Sequence, residues 1–176
     1  MSIGATARRL LGPFEVSASR AFRSLFFRIE EFGELLARSS QPERILEIGC
    51  GDGLLAEELA QRFAHASITG IDIDAEPGRL FAAKRTDQVR FYTCAAPEFT
   101  REHPGEFDLV VLCDVLHHVE SGARSEILSA AGRALDRGGL LIVKEWEALP
   151  TLWTGITGVI ERRISGSYTR YETAPH

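Results

Sequence analysis

The chain has 176 residues, 44% hydrophobic and 26% charged, which suits one globular domain with a real core. Its formal net charge of -5 argues against a nucleic-acid partner, because neutralising phosphates needs a basic surface. No apolar run approaches the roughly 18 residues of a membrane span, and Gly12, Pro13 and Glu15 interrupt the stretch a signal peptide requires. Cys50, Cys94 and Cys113 lack any C-x-x-C spacing for zinc and are too scattered for a disulfide framework. Near strand ends they read as small buried hydrophobes, as expected of a cytoplasmic protein.

Residues 1–17 show no periodicity and read as an arm. From Ala18 to Arg38 apolar residues recur at helical steps (Phe22, Leu25, Phe26, Ile29, Phe32, Leu36), which predicts a helix. Such a helix would pack on the core or close over a ligand, and packing is the preferred reading. Ser39, Ser40 and Pro42 end it. A short apolar strand follows (Ile45, Leu46, Ile48), breaks into Gly49, Gly51 and Gly53, and enters a helix running to about Ala64. Strand, glycine turn and helix N-terminus together point backbone N–H groups and a helix dipole at a polar ligand.

Ser67 to Ile73 predicts strand two. Asp74 reads as a helix N-cap, with Pro77 in the first turn of a short helix. Val89 to Cys94 predicts strand three, and the polar segment to Glu106 carries at most one helical turn. Leu109 to Cys113 is an uninterrupted apolar run, as in strands buried on both faces. A helix from Ala123 to Leu135 is stopped by Gly138-Gly139, which turn the chain into strand five, Leu140 to Val143. Strands alternating with helices predict an α/β doubly wound, mainly parallel sheet with helices on both faces. Thr151 to Arg163 predicts a last helix, and the tail has no convincing strand pair.

Several stretches carry chemistry. EIGCGDG, from Glu47 to Gly53, spaces its glycines G-x-G-x-G; the dinucleotide fingerprint needs the third one position later, where Leu54 stands. Asp72 closes strand two, where a carboxylate can accept from the vicinal hydroxyls of a ribose. Phe107-Asp108-Leu109-Val110-Val111 leads into Cys113-Asp114-Val115-Leu116-His117-His118-Val119, and Asp136-Arg137-Gly138-Gly139 precedes strand five. These four stretches, in this order, resemble the motifs of the class I S-adenosylmethionine-dependent methyltransferases, small-molecule type, over roughly residues 40–147.

The resemblance implies a Rossmann-like sheet of order 3-2-1-4-5, with ligands over the switch point between strands one and four. It implies S-adenosyl-L-methionine as cofactor, held by Glu47, Gly49, Cys50 and Gly51 at the glycine turn, Asp72 on the ribose and Ile73 against the adenine. Ala95 and Ala96 would read the adenine edge through their backbone, and the Cys113 carbonyl would take the cofactor's amino group. Ala95 departs from the family pattern, which has an aspartate there. Arg137 replaces the usual proline. Residues 1–39 are then an arm and helix on or over the core, 40–147 the cofactor-binding core, and 148–176 a helix and tail. The family's C-terminal strand hairpin has no counterpart here, which implies either a lost hairpin or a fragment. Strand five would be left as an open edge, suited to a homodimer.

The expected activity is methyl transfer to a small-molecule acceptor. His117 is the candidate base for a hydroxyl acceptor, because imidazole titrates near neutrality. The acceptor would lie near His117, Trp146 and Trp153. His117 and His118 equally read as capping the turn after strand four. No metal site is expected, since adjacent histidines point differently and no third ligand is evident. The absence of a D/N-P-P-Y motif and of a Pro-Cys pair disfavours nucleobase acceptors. The alternatives are a non-catalytic methyltransferase-like binding or partner-subunit module, favoured by Ala95, and a nicotinamide-dependent oxidoreductase, disfavoured by Leu54.

Overall fold

In the computed structural model of the chain, residues 29–81 and 87–145 are described. Helix α1 (Ile29–Ser39) leads into β1 (Arg44–Ile48), α2 (Leu54–Arg62), β2 (Ser67–Asp72) and β3 (Val89–Thr93). Then come α3 (Ala96–Glu102), β4 (Phe107–Cys113), a single 3-10 turn (Leu116–His118), α4 (Ser121–Ala134) and β5 (Leu135–Lys144). The five strands are all parallel and lie in the order β3-β2-β1-β4-β5. The order expected from the family resemblance is therefore found.

Side chains alternate across a strand, so the apolar runs of β1 and β4 feed two cores at once. Ile45, Ile68, Leu109 and Val111 face α1 and α2, meeting Phe32, Leu36, Leu55, Leu59 and Phe63. Leu46, Ile48, Ile71, Val110 and Leu112 face α3 and α4, meeting Phe99, Ala130, Ala131 and Ala134. Leu46, Leu109 and Leu112 are fully enclosed, and each such side chain contributes about 1.5–3 kcal/mol of burial. At the N-terminal end of the sheet, Asp108 accepts from the Arg44 backbone N–H at 3.0 Å. The Arg44 guanidinium reaches on to Asp136 at 3.1 Å, so one arginine joins the feet of β1, β4 and β5.

One aromatic ring fills the opposite end. A Cβ on Gly70 of β2 would lie 2.7 Å from the ring of Phe91 and 3.0 Å from the Cys50 sulfur. A Cβ on Gly53 would lie 3.2 Å from the same ring, and one on Gly78 would overlap it. Phe91 thus occupies the space that three glycines leave open, wedged between the turn after β1, strand β2 and the turn after β2.

Several expectations need correction. Among the described residues no helix follows Asp74: residues 73–76 bend and 77–80 form a turn, and Asp74 accepts from the Ala75 N–H at 2.6 Å. The segment after β3 is a seven-residue helix, α3, whose first turn contains Pro97. Gly138-Gly139 do not stop α4, since Leu135 is already extended and β5 runs ten residues through both glycines. A register break opposite Phe107 and Leu109 absorbs the irregularity. A Cβ on Gly139 would lie 3.2 Å from the carbonyls of both Phe107 and Asp108, so the pair serves close strand approach. Of the expected N-terminal helix, 29–39 is described and packs on the core. Its earlier half, the arm, Trp146, Trp153 and the helix expected over 151–163 lie outside the described residues.

Candidate active site

The crevice at the C-terminal ends of β1, β2 and β4 is framed first by the glycine turn. Gly49 has φ +75°, a conformation that costs a side chain about 1–2 kcal/mol, and a Cβ there would lie 2.5 Å from Val115 Cγ2. Gly53 caps α2 from the same left-handed region, at φ +86°. The turn hangs on β2: Gly49 and Cys50 both donate to the Ile71 carbonyl, at 2.8 and 3.1 Å. Asp72 completes the link. One carboxylate oxygen accepts from the Gly51 N–H at 2.7 Å and the other from the Asp74 N–H at 2.9 Å. An ionised carboxylate has about four acceptor positions, so about two remain for a ligand's hydroxyls.

Glu47 is buried within β1, between Gly70 on β2 and Val111 on β4. Burial, then the charges of Glu47, Asp72 and Asp52, push the Cys50 thiol up, so it stays protonated and unreactive. Ile73 is 82% exposed, a large apolar side chain held out beside Asp72. Ala95 is extended and caps α3 through its backbone alone, its carbonyl accepting from Phe99 N–H at 3.0 Å, while Ala96 is buried. Cys113 ends β4 opposite Lys144. A carboxylate with spare acceptor positions, bare glycine backbone and an exposed apolar side chain fit a ligand with vicinal hydroxyls and a flat ring.

A second group lies where β4 and β5 end. Asp114 takes φ +58°, rare for a residue with a side chain, and is held there from β5. Its N–H donates to the Lys144 carbonyl at 2.9 Å, and the Lys144 ammonium donates to both its oxygens at 2.6 and 2.7 Å. Glu145 holds the next three residues. Oε1 accepts from the N–H groups of Val115 and Leu116, at 2.9 and 2.7 Å, and Oε2 lies 2.7 Å from His117 Nδ1. Burial alone would raise the Glu145 carboxyl, but the His117 hydrogen bond and charge and the Leu116 and Val115 N–H groups outweigh it and hold it below its ordinary value. His117 is buried and His118 exposed.

Asp114, His117 and Glu145 bring ligand-type atoms within 4.8 Å of one another, so carboxylates do accompany the histidine, contrary to the sequence expectation. Both Asp114 oxygens meet the Lys144 ammonium and both Glu145 oxygens meet N–H or imidazole donors, an arrangement already served by protein groups. The roles of Lys144 and Glu145 were not legible from spacing. The available signal was an acid just past strand five, which the order 3-2-1-4-5 places beside the end of strand four.

These features lie at the switch point of a doubly wound sheet, the place where such sheets take their ligands. A family model described as a methyltransferase domain matches residues 46–141, and the chain belongs to that family, with the class I S-adenosylmethionine-dependent fold. The ubiquinone biosynthesis O-methyltransferase of Aeromonas salmonicida (strain A449) is 35% identical over 104 residues, 57% of this chain and 42% of the relative. That of Sodalis glossinidius (strain morsitans) is 30% identical over 132 residues, 73% of this chain and 49% of the relative. The match thus spans about half the length of these relatives or less. Among solved structures, a SAM-dependent methyltransferase from Archaeoglobus fulgidus has a TM-score of 0.64 at 18% identity, covering 88% of this chain and 68% of that one. The Burkholderia thailandensis 1,6-didemethyltoxoflavin-N1-methyltransferase, solved with 1,6-didemethyltoxoflavin and S-adenosylhomocysteine, has a TM-score of 0.60 at 19% identity, covering 85% and 67%. No helix among the described residues is long and apolar enough to cross a membrane.

Proposed function

We propose that this chain carries the cofactor-binding core, residues 40–147, of an S-adenosylmethionine-dependent methyltransferase acting on the hydroxyl of a small molecule. The observation that carries the reading is the Asp72 carboxylate bound to the Gly51 N–H, which joins the glycine turn to the acid that ends β2 at the switch point. Asp72 would accept from the ribose and Ile73 would lie against the adenine. The backbone at Gly49, Cys50, Gly51, Ala95, Ala96 and Cys113 would take the remaining polar groups, with Glu47 beneath the turn. When bound, the cofactor supplies a sulfonium methyl open to in-line attack. Holding the acceptor in line is worth about 7–11 kcal/mol in such a reaction, so the chain's main task is positioning. His117 is the proposed base. A phenol titrates near 10, as tyrosine does, within closer reach of imidazole than an alkyl hydroxyl, which favours an aromatic hydroxyl acceptor. The O-methyltransferase relatives support oxygen as the accepting atom.

The test has two parts. S-adenosylhomocysteine should bind in calorimetry, and radiolabelled methyl from S-adenosylmethionine should appear on catechol or 3,4-dihydroxybenzoate. Absence of binding would overturn the cofactor assignment. Binding without transfer to any hydroxylated, amino or carbon acceptor would favour the non-catalytic binding module, the reading that Ala95 supports. Among the described residues β5 pairs with β4 alone, which supports a homodimer through its outer edge, and a monomer across a range of concentrations in sedimentation would refute it. The cytoplasm is the proposed compartment, consistent with free cysteines at 50, 94 and 113.

A further inference from the structure

We infer that Glu145 is a positioning residue for the cofactor: by holding Val115 against Gly49 it fixes the glycine turn from the end of β5. The bracing rests on geometry, and its effect on ligand affinity rests on the methyltransferase reading. Oε1 of Glu145 accepts from the Val115 and Leu116 N–H groups at 2.9 and 2.7 Å, two donors that open the 3-10 turn and have no carbonyl of that turn to meet. Oε2, 2.7 Å from His117 Nδ1, adds a third hold on the same segment. The residue before Val115, Asp114, stands at φ +58°, a conformation that a residue with a side chain seldom keeps without outside support. Lys144 supplies that support through both Asp114 oxygens, so two successive residues at the end of β5 shape the path of the chain into Val115.

Val115 in turn lies over the glycine turn. A Cβ placed on Gly49 would stand 2.5 Å from its Cγ2 and 3.2 Å from its Cγ1, so both methyls rest on the Gly49 backbone. From the other side Gly49 and Cys50 donate to the Ile71 carbonyl of β2. The turn is therefore gripped by hydrogen bonds to β2 and by packing against Val115. Packing falls off steeply with distance: a shift of about 0.5–1 Å forfeits roughly a quarter to a half of a contact. Removing the acceptor of two backbone N–H groups frees Val115 to make such a shift, and leaves Gly49, Cys50 and Gly51 less well formed for a ligand.

The test is calorimetric titration of the full chain with S-adenosylhomocysteine, in which stoichiometry reports the folded fraction and Kd the shape of the site. Glu145→Ala should raise Kd about 2- to 30-fold with stoichiometry unchanged, the range for residues that act on a site through others. Val115→Ala, which leaves the hydrogen bonds of Glu145 in place, should raise Kd as well, and it decides alone if Glu145→Ala does not fold. In the double variant the Glu145 substitution should add less than about 2-fold to the Val115 effect, because both act through one contact. An unchanged Kd in either single variant, effects that multiply in the double variant, or a loss of stoichiometry alone would overturn the inference. A ligand-free cycle tests the bracing by itself. In a Glu145→Ala background the fall in urea midpoint caused by Gly49→Ala should be about half that in the wild type, because Val115 can yield to the new methyl while the conformational cost persists. An equal fall would overturn the bracing. Failure of the wild type to bind S-adenosylhomocysteine would instead overturn the methyltransferase reading, and this cycle would still decide whether Glu145 braces the turn.

Discussion

Replacing Gly49 by alanine tests the glycine turn at its tightest point. At φ +75° the new methyl group brings a conformational cost of about 1–2 kcal/mol. Its Cβ would also stand 2.5 Å from Val115 Cγ2, a clash that must move the loop after β4, and overpacking of this kind costs about 1–3 kcal/mol. Gly49→Ala should therefore destabilise the protein by about 2–5 kcal/mol in urea unfolding followed by circular dichroism. The structure separates the two parts. In Gly49→Ala/Val115→Ala the clashing methyls are gone and Val115 Cβ would lie at 3.4 Å, an ordinary contact. The double variant should be about 1–3 kcal/mol more stable than the sum of the single effects, because only the conformational cost persists. Additive energies, or a Gly49→Ala variant within about 0.5 kcal/mol of wild type, would refute the reasoning.

Asp72→Asn keeps one acceptor but turns an amide donor toward a second N–H, either that of Gly51 or that of Asp74. Losing a charge-assisted bond to the ribose is worth about 1.5–3 kcal/mol, so S-adenosylhomocysteine should bind roughly 10- to 150-fold more weakly by calorimetry. Ala95→Asp restores a carboxylate at the N-cap of α3, where a side-chain cap contributes about 0.5–2 kcal/mol; both the unfolding midpoint and the S-adenosylhomocysteine affinity should rise. The Glu145 carboxyl is held below its ordinary 4.5, so near that pH the folded protein binds fewer protons than the unfolded chain. Its stabilising contribution is full above 4.5 and is lost as pH falls through the lower folded value. Glu145→Gln should accordingly show a shallower acid limb in stability measured from pH 6 to 3, and an unchanged slope would count against the network.

The fold was legible wherever burial on both faces wrote itself into continuous apolar runs. Leu109 to Cys113 is such a run and is a central strand, while Ile45, Leu46 and Ile48, broken by Glu47, were placed as a strand by the glycine turn that follows them. The sequence misled where one residue type serves two ends. Gly138-Gly139 look like a helix stop, yet Leu135 has already left the helix and Gly139 is there to let β5 pass the carbonyls of β4. Asp74 looks like a helix cap because its side chain does cap its neighbour, only in a bend. Asp72 was readable from its place at the end of strand two, but its bond to Gly51 depends on how the turn folds back. The grip of Lys144 and Glu145 on the loop carrying Asp114 and His117 spans some thirty residues of chain and leaves no local trace.

The ring of Phe91 gives the crevice a property of its own. Gly53, Gly70 and Gly78 each abut it, so the turn after β1, the middle of β2 and the turn after β2 share one buttress rather than each having its own. Loosening any one of them exposes the same aromatic surface. The amides of these three segments should then exchange with solvent as a single cooperative unit, and Phe91→Leu should lower their protection together while leaving the α4 amides at the far end of the sheet unchanged. A joint loss of protection would show that strand β3, remote in sequence from the glycine turn, sets how long that turn stays closed.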